Sequence, residues 1–158
     1  MGASPSCKEI AVFQRILVPT DGSPRSDRAV KAAAKLARRT HGSITIFHAV
    51  PAYVSPYYSD GFILDWPDEG HYRKQASAAA KKLLDKAKAL AIKSKVPAFT
   101  LEGYSSDPAA AILAAASKSK ADAILMASHG RKGLEKLILG SETQKVLARS
   151  RLPVVVIR

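Results

Sequence analysis

Residues 126–146 read MASHGRKGLEKLILGSETQKV, and the fold turns on how this stretch is read. It follows an apolar run, ADAILM at 121–126, which is short, bounded by polar residues and apolar on both faces. That pattern predicts a parallel strand buried on both sides. A turn of small residues comes next: Ala127, Ser128, His129 and Gly130. After the nine residues 131–139, Gly140 and Ser141 open a second periodic segment that carries Val146 and Leu147. Gly140 and Ser141 are thereby placed at a helix N-terminus, where free N–H groups and the positive dipole end favour an anion. Two glycine-containing turns bracketing one loop, the second at a helix start, form a cradle suited to phosphate.

The rest of the chain reads as the scaffold for that loop. Downstream, PVVVI at 153–157 predicts a last strand. Upstream, Asp107 and Pro108 give a cap-then-proline signature that launches a helix through Lys118, and 96–104 reads as a strand. From Asp68 to about Lys95 the pattern is helical, with Tyr72, Ala76, Ala79, Leu83, Ala87 and Leu90 recurring at three- and four-residue steps. Residues 51–67 form a long irregular stretch with Tyr53, Tyr57, Tyr58, Phe62 and Trp66, aromatics that suit either the cover of a bound base or packing over a helix. Before it, SITIFHAV at 43–50 is a strand closed by Pro51. The first strand, FQRILV at 13–18, stops at Pro19. Thr20, Asp21, Gly22, Ser23 and Pro24 then make a turn in which Ser23 is a ready N-cap and Pro24 sits at the first helical position. Ala29, Val30, Ala33, Leu36 and Ala37 line the helix that follows, which ends near His41 and Gly42.

Five strands alternating with helices imply an α/β fold with an open parallel sheet covered on both faces. In such sheets ligands bind beyond the carboxyl ends of the strands, where the strand order reverses. With the first and fourth strands as neighbours there, Asp21 and the 127–143 loop would face each other across one crevice. Spacing alone does not supply that order.

Composition narrows the function. At 158 residues and 47% hydrophobic the chain has the size of one domain with a real core. No apolar run approaches the roughly 20 residues needed to span a bilayer. The opening MGASPSCKEIAVF lacks a basic region followed by an apolar stretch, so secretion is not expected and a cytoplasmic protein is. Gly2 and Ser6 formally match a loose myristoylation pattern, but 1–12 reads as a disordered leader before a single domain at 13–158. Cys7 is the one cysteine, which excludes an intrachain disulfide. The net charge of +12, from 25 Lys and Arg against 13 Asp and Glu, favours anionic partners. The lysines are spread along helical segments, as at Lys81, Lys82, Lys86 and Lys88, which is also the pattern of solvated helix faces.

Two motifs in this setting carry a resemblance. From about Phe13 to Arg158 the chain resembles the universal stress protein family. ILVPTDGS at 16–23 looks like that family's first strand and acidic turn. ASHGRKGLEKLILGSETQKVLARSRLPVVVIR at 127–158 is similar to its signature of glycine, two residues, glycine, nine residues, glycine, then serine or threonine. Gly130, Gly140 and Ser141 fit the spacing, and Ala127 stands where the family has its first glycine.

The resemblance implies a Rossmann-like sheet of order 3-2-1-4-5, of the adenine-nucleotide alpha hydrolase kind, a frequent homodimer, and in some members ATP in the crevice. Carried over by position, Pro19, Thr20 and Asp21 would lie near adenine and ribose, with Ala49 beside the base. Met126, Ala127, His129 and Gly130 would line the turn, and Gly140, Ser141 and Thr143 would hold phosphates. Arg131 and Lys132 could reach phosphates or remain solvated. Glu142 would repel phosphate if turned inward, so it must face out or meet a cation such as the Mg²⁺ that accompanies ATP. The chemistry is consistent: a carboxylate accepts from ribose hydroxyls or a base amine, and each charge-assisted bond to phosphate contributes about 1.5–3 kcal/mol. If Ala127 required positive φ or a close phosphate, its Cβ would cost about 1–2 kcal/mol; in ordinary β geometry it would be harmless.

These features favour an ATP-binding stress-response sensor or switch. No Ser-His-Asp order, metal cluster or positioned general base points to a committed enzyme, and slow ATP hydrolysis, though compatible with the chain, has no sequence warrant. The alternative is a nucleotide-independent dimeric interaction protein with a vestigial cradle. Nucleic-acid binding would use the positive charge but lacks an aromatic-basic recognition motif. The apolar terminal strand 153–157, placed at a sheet edge by the resemblance, is the expected homodimer contact.

Overall fold

In the computed structural model the described residues are 13–54, 68–129 and 139–158. The leader 1–12 with Cys7, the aromatics between 55 and 67, and Gly130, Arg131 and Lys132 in the cradle loop lie outside them.

Five strands, β1 (Arg15–Pro19), β2 (Ser43–Pro51), β3 (Ala98–Ser105), β4 (Ala123–Ala127) and β5 (Val154–Ile157), form one sheet. Its order is β3-β2-β1-β4-β5, and every neighbouring pair is parallel. The chain steps outward from β1 to β2 and β3, then returns to the other side of β1 for β4 and β5. The order therefore reverses between β1 and β4, and the crevice of a doubly wound sheet opens there. At the opposite end of this strand pair, the Asp122 carboxylate accepts from the backbone N–H groups of Gln14 and Arg15 at 3.0–3.1 Å.

Four helices cover the sheet: α1 (Pro24–Arg39), α2 (Glu69–Ile92), α3 (Pro108–Lys118) and α4 (Ser141–Arg149). Alternation along the strands divides the core into two clusters. Ile16, Val18, Ile44, Ile46, Leu125 and Ala127 pack with residues of α1 and α2. Leu17, Phe47, Ile124 and Met126 pack with Ala109, Ile112, Ala115 and Ala116 of α3 and with Val146 of α4. All five residues of β4 are buried, as its continuous apolar run predicts.

Local chemistry sets the helix starts. Ser23, Asp68 and Asp107 each accept an N–H from the first turn of α1, α2 and α3, and proline follows Ser23 and Asp107. Each such cap contributes about 1 kcal/mol. α4 differs: it begins after Gly140, and among the described residues no side chain caps its first turn.

One expectation needs correction. In α2 the fully buried stripe is Ala80, Leu84, Ala87 and Ala91; Leu90 packs against the same cluster while half-buried, Leu83 is half-buried, and Ala79 is exposed. Alanines surround this helix and adjacent leucines at 83 and 84 offer two equivalent faces, so the packing surface of the sheet chooses between them. Tyr53 packs against α2, its ring centroid 5.5 Å from that of Tyr72. Among the described residues no helix is long and apolar enough to cross a membrane.

Candidate functional site at the strand-order reversal

The first wall of the crevice is the β1–α1 turn. Pro19 ends β1 opposite Phe47, and the next N–H, on Thr20, donates to the Phe47 carbonyl at 2.8 Å. Thr20 is buried, and its hydroxyl pairs with Ser26 Oγ at 3.0 Å while accepting the Gly22 N–H at 3.2 Å. Gly22 has φ of 76°, the left-handed region where a side chain is strained. The Asp21 carboxylate accepts the Ser23 N–H at 3.0 Å. Asp21 thus shapes its own turn through that bond.

The second wall joins β4 to α4. Ser128 N–H continues the sheet by donating to the Ile157 carbonyl at 2.8 Å. The Gly140 N–H donates to the Ser128 carbonyl at 2.8 Å, and the buried Thr143 hydroxyl donates toward the carbonyls of Ala127 and Ser128 at 3.1 and 3.3 Å. His129 Nδ1 lies 3.2 Å from Ser128 Oγ. Gly140 has ordinary backbone angles, φ −60° and ψ 149°. Its lack of a side chain matters for space: a Cβ there would stand 3.2 Å from the Ser128 oxygen and 3.4 Å from His129 Cα.

Several expected site residues turn their side chains into the core. Met126 is buried in the α3 and α4 layer, and Ala49 packs against the same cluster. Ala127 is not among the residues with positive φ and is buried in the opposite layer, so its Cβ carries no backbone strain. The Gly140 N–H and the Thr143 hydroxyl are both engaged in closing the turn. Beside them lies the row of N–H groups on Ser141, Glu142 and Thr143 at the start of α4, to which no side chain among the described residues gives a cap. Glu142 turns away from it: one carboxylate oxygen accepts from Ala109 N–H at 3.1 Å and the other from Lys145 Nζ at 2.9 Å. The carboxylate that would repel an anion caps the neighbouring helix instead.

His48 escaped the sequence reading. It lies near the end of β2, and its Nδ1 is 2.8 Å from the Thr20 carbonyl oxygen. The available signal was a lone imidazole in the mostly apolar run ITIFHAV.

An open parallel sheet of order 3-2-1-4-5, with the β1–α1 and β4–α4 connections on either side of its reversal point, defines a doubly wound α/β protein. Residues 13–158 match the Universal stress protein family. A universal stress protein of Thermus aquaticus is 34% identical over 152 residues, which span 93% of this chain and 100% of that one. The structure of universal stress protein UspA from Lactobacillus plantarum matches with a TM-score of 0.76 at 24% identity, over 93% of this chain and 99% of that one. The universal stress protein from Archaeoglobus fulgidus, solved in complex with dAMP, matches with a TM-score of 0.69 at 21% identity, over 93% and 99%. This chain belongs to the universal stress protein family.

Proposed function

We propose that this chain is an adenine-nucleotide-binding stress-response module, a cytoplasmic sensor or switch that takes ATP into the crevice between β1 and β4. The observation that carries the reading is the start of α4. Among the described residues no side chain caps its N–H groups at 141–143, while the Glu142 carboxylate is tied to Ala109 and Lys145. Together with the helix dipole, this presents a positive surface to phosphate oxygens. Pro19, Thr20 and Asp21 on the facing turn, with the backbone at Ala49, would hold ribose and base. His129 and the glycine of position 130 would border the phosphates, with Arg131 as a further cation. A structural relative solved with dAMP supports an adenine nucleotide as the ligand class.

Among the described residues no three His, Cys, Asp or Glu side chains group to hold an ion. Any Mg²⁺ would then be held chiefly by the phosphate oxygens. We further propose one domain over 13–158 behind a leader at 1–12, and a homodimer through the terminal strand at 153–157.

Isothermal titration with ATP and Mg²⁺ tests the reading. Saturable heat at one site per chain is expected, unchanged in Lys88→Ala and weakened in Ser141→Ala. No heat in the wild type would leave a nucleotide-independent interaction protein as the better account.

A further inference from the structure

We propose that His48 is a positioning residue, the group that holds the Asp21 turn in its ligand-binding shape. The proposal deepens the nucleotide reading above and rests on it for its consequence, though not for its geometry. The Thr20 carbonyl is an acceptor only, so the contact at 2.8 Å requires the proton on Nδ1. The Thr20 N–H meanwhile donates to the Phe47 carbonyl at 2.8 Å. Consecutive residues of β2, one through its backbone and one through its ring, therefore hold both main-chain polar groups of Thr20. This residue immediately precedes Asp21.

From Thr20 the constraint passes along the turn. Its hydroxyl accepts from Gly22 N–H, and the Asp21 carboxylate accepts from Ser23 N–H. Gly22, at φ 76°, is the point where the turn could otherwise swing. One line of bonds that holds the turn thus runs from the His48 ring through Thr20 and Gly22 to Asp21 and Ser23. A valine at 48 would suit the strand and its apolar run, yet it would release the Thr20 carbonyl. Asparagine places an amide N–H close to where Nδ1 stands and should restore the bond.

The variants His48→Val and His48→Asn, compared with wild type, test this in two ways. In the protein without ligand, amide hydrogen exchange at Gly22 and Ser23 should rise about tenfold in His48→Val and return toward wild type in His48→Asn. Exchange at Val18 and Ile46 should be unchanged, which shows that the fold persists. Unaltered exchange at Gly22 and Ser23 in the valine variant would overturn the proposal. In binding, His48→Val should weaken adenosine and ATP by the same factor, about tenfold, and leave inorganic tripolyphosphate untouched. An equal loss for tripolyphosphate would also overturn it, because the defect would then reach the phosphate wall. A wild type that binds no adenine nucleotide would remove the functional reading, while the exchange result would still decide the role of His48.

Discussion

The N–H of Gly140 donates to the carbonyl of Ser128 at 2.8 Å, so the residue before α4 is bonded directly to the residue after β4. The contact between them leaves little room for a side chain, because a Cβ at 140 would stand 3.2 Å from the same oxygen, which would have to give by a few tenths of an ångström. Gly140→Ala should therefore lower ATP affinity moderately and Gly140→Val by tenfold or more, on the order of one good hydrogen bond. Calorimetric titration of both variants checks the order; equal affinity for all three proteins would remove the cradle.

Ala127 makes the opposite case. The family signature suggests that glycine there would improve binding. The structure places Ala127 in ordinary strand geometry within the core cluster of α1 and α2. Ala127→Gly should cost about 0.5–1 kcal/mol of stability and leave ATP affinity within about twofold. A tenfold gain in affinity would show that the methyl obstructs the ligand.

Thr143 is 3% exposed, and its hydroxyl serves two carbonyls of the β4 turn. Thr143→Val keeps the shape and removes the donor, which should destabilise the protein by about 1–3 kcal/mol in urea denaturation. Thr143→Ser should recover most of the loss. If valine and serine behave alike, the hydroxyl contributes little.

The α3 and α4 helices are tied at their surface by Arg149 and Asp107, 2.9 Å apart. The hydrogen bond from Arg149, and then that from the Ala110 N–H, hold the Asp107 carboxyl below its ordinary pKa. With the folded value below the unfolded one, the tie contributes above the unfolded pKa and is lost as pH falls through the folded one. Carbon-13 NMR of the Asp107 carboxyl should show its titration moving upward in Arg149→Ala. A superimposable curve would contradict the pairing.

β5 forms one edge of the sheet. The carbonyls of Pro153 and Ile157 point at β4, so by alternation the N–H of Val156 points away from it. Val156→Pro deletes that outward donor and spares the β4 ladder. Sedimentation should show a dimer for wild type at roughly tens of micromolar and a monomer for the variant. A wild-type monomer would exclude the edge-to-edge contact.

Much of this architecture was legible because its signals are local. Ser23 with Pro24, and Asp107 with Pro108, mark helix starts through bonds that span two or three residues, and the apolar run of β4 declares a strand covered on both sides. Strand order entered only with the family resemblance, since no spacing tells which side of β1 receives β4. The sequence points to Asp21, Gly140, Ser141 and Thr143 but not to their geometry. Gly140 serves a close approach at ordinary φ, Glu142 caps α3, and the Thr143 hydroxyl closes a turn. Those partners are supplied by tertiary contact, as is the one that makes His48 matter.

β4 sends Leu125 and Ala127 into one layer and Ile124 and Met126 into the other, with no residue left facing water. A strand gripped from both sides behaves as an anvil: it cannot tilt or slide unless two packed layers yield together. Whatever settles at its tip will deform the short segments around it before it moves the platform. A downstream reader of occupancy would therefore have to touch this rim, and surfaces at the far end of the sheet would stay silent.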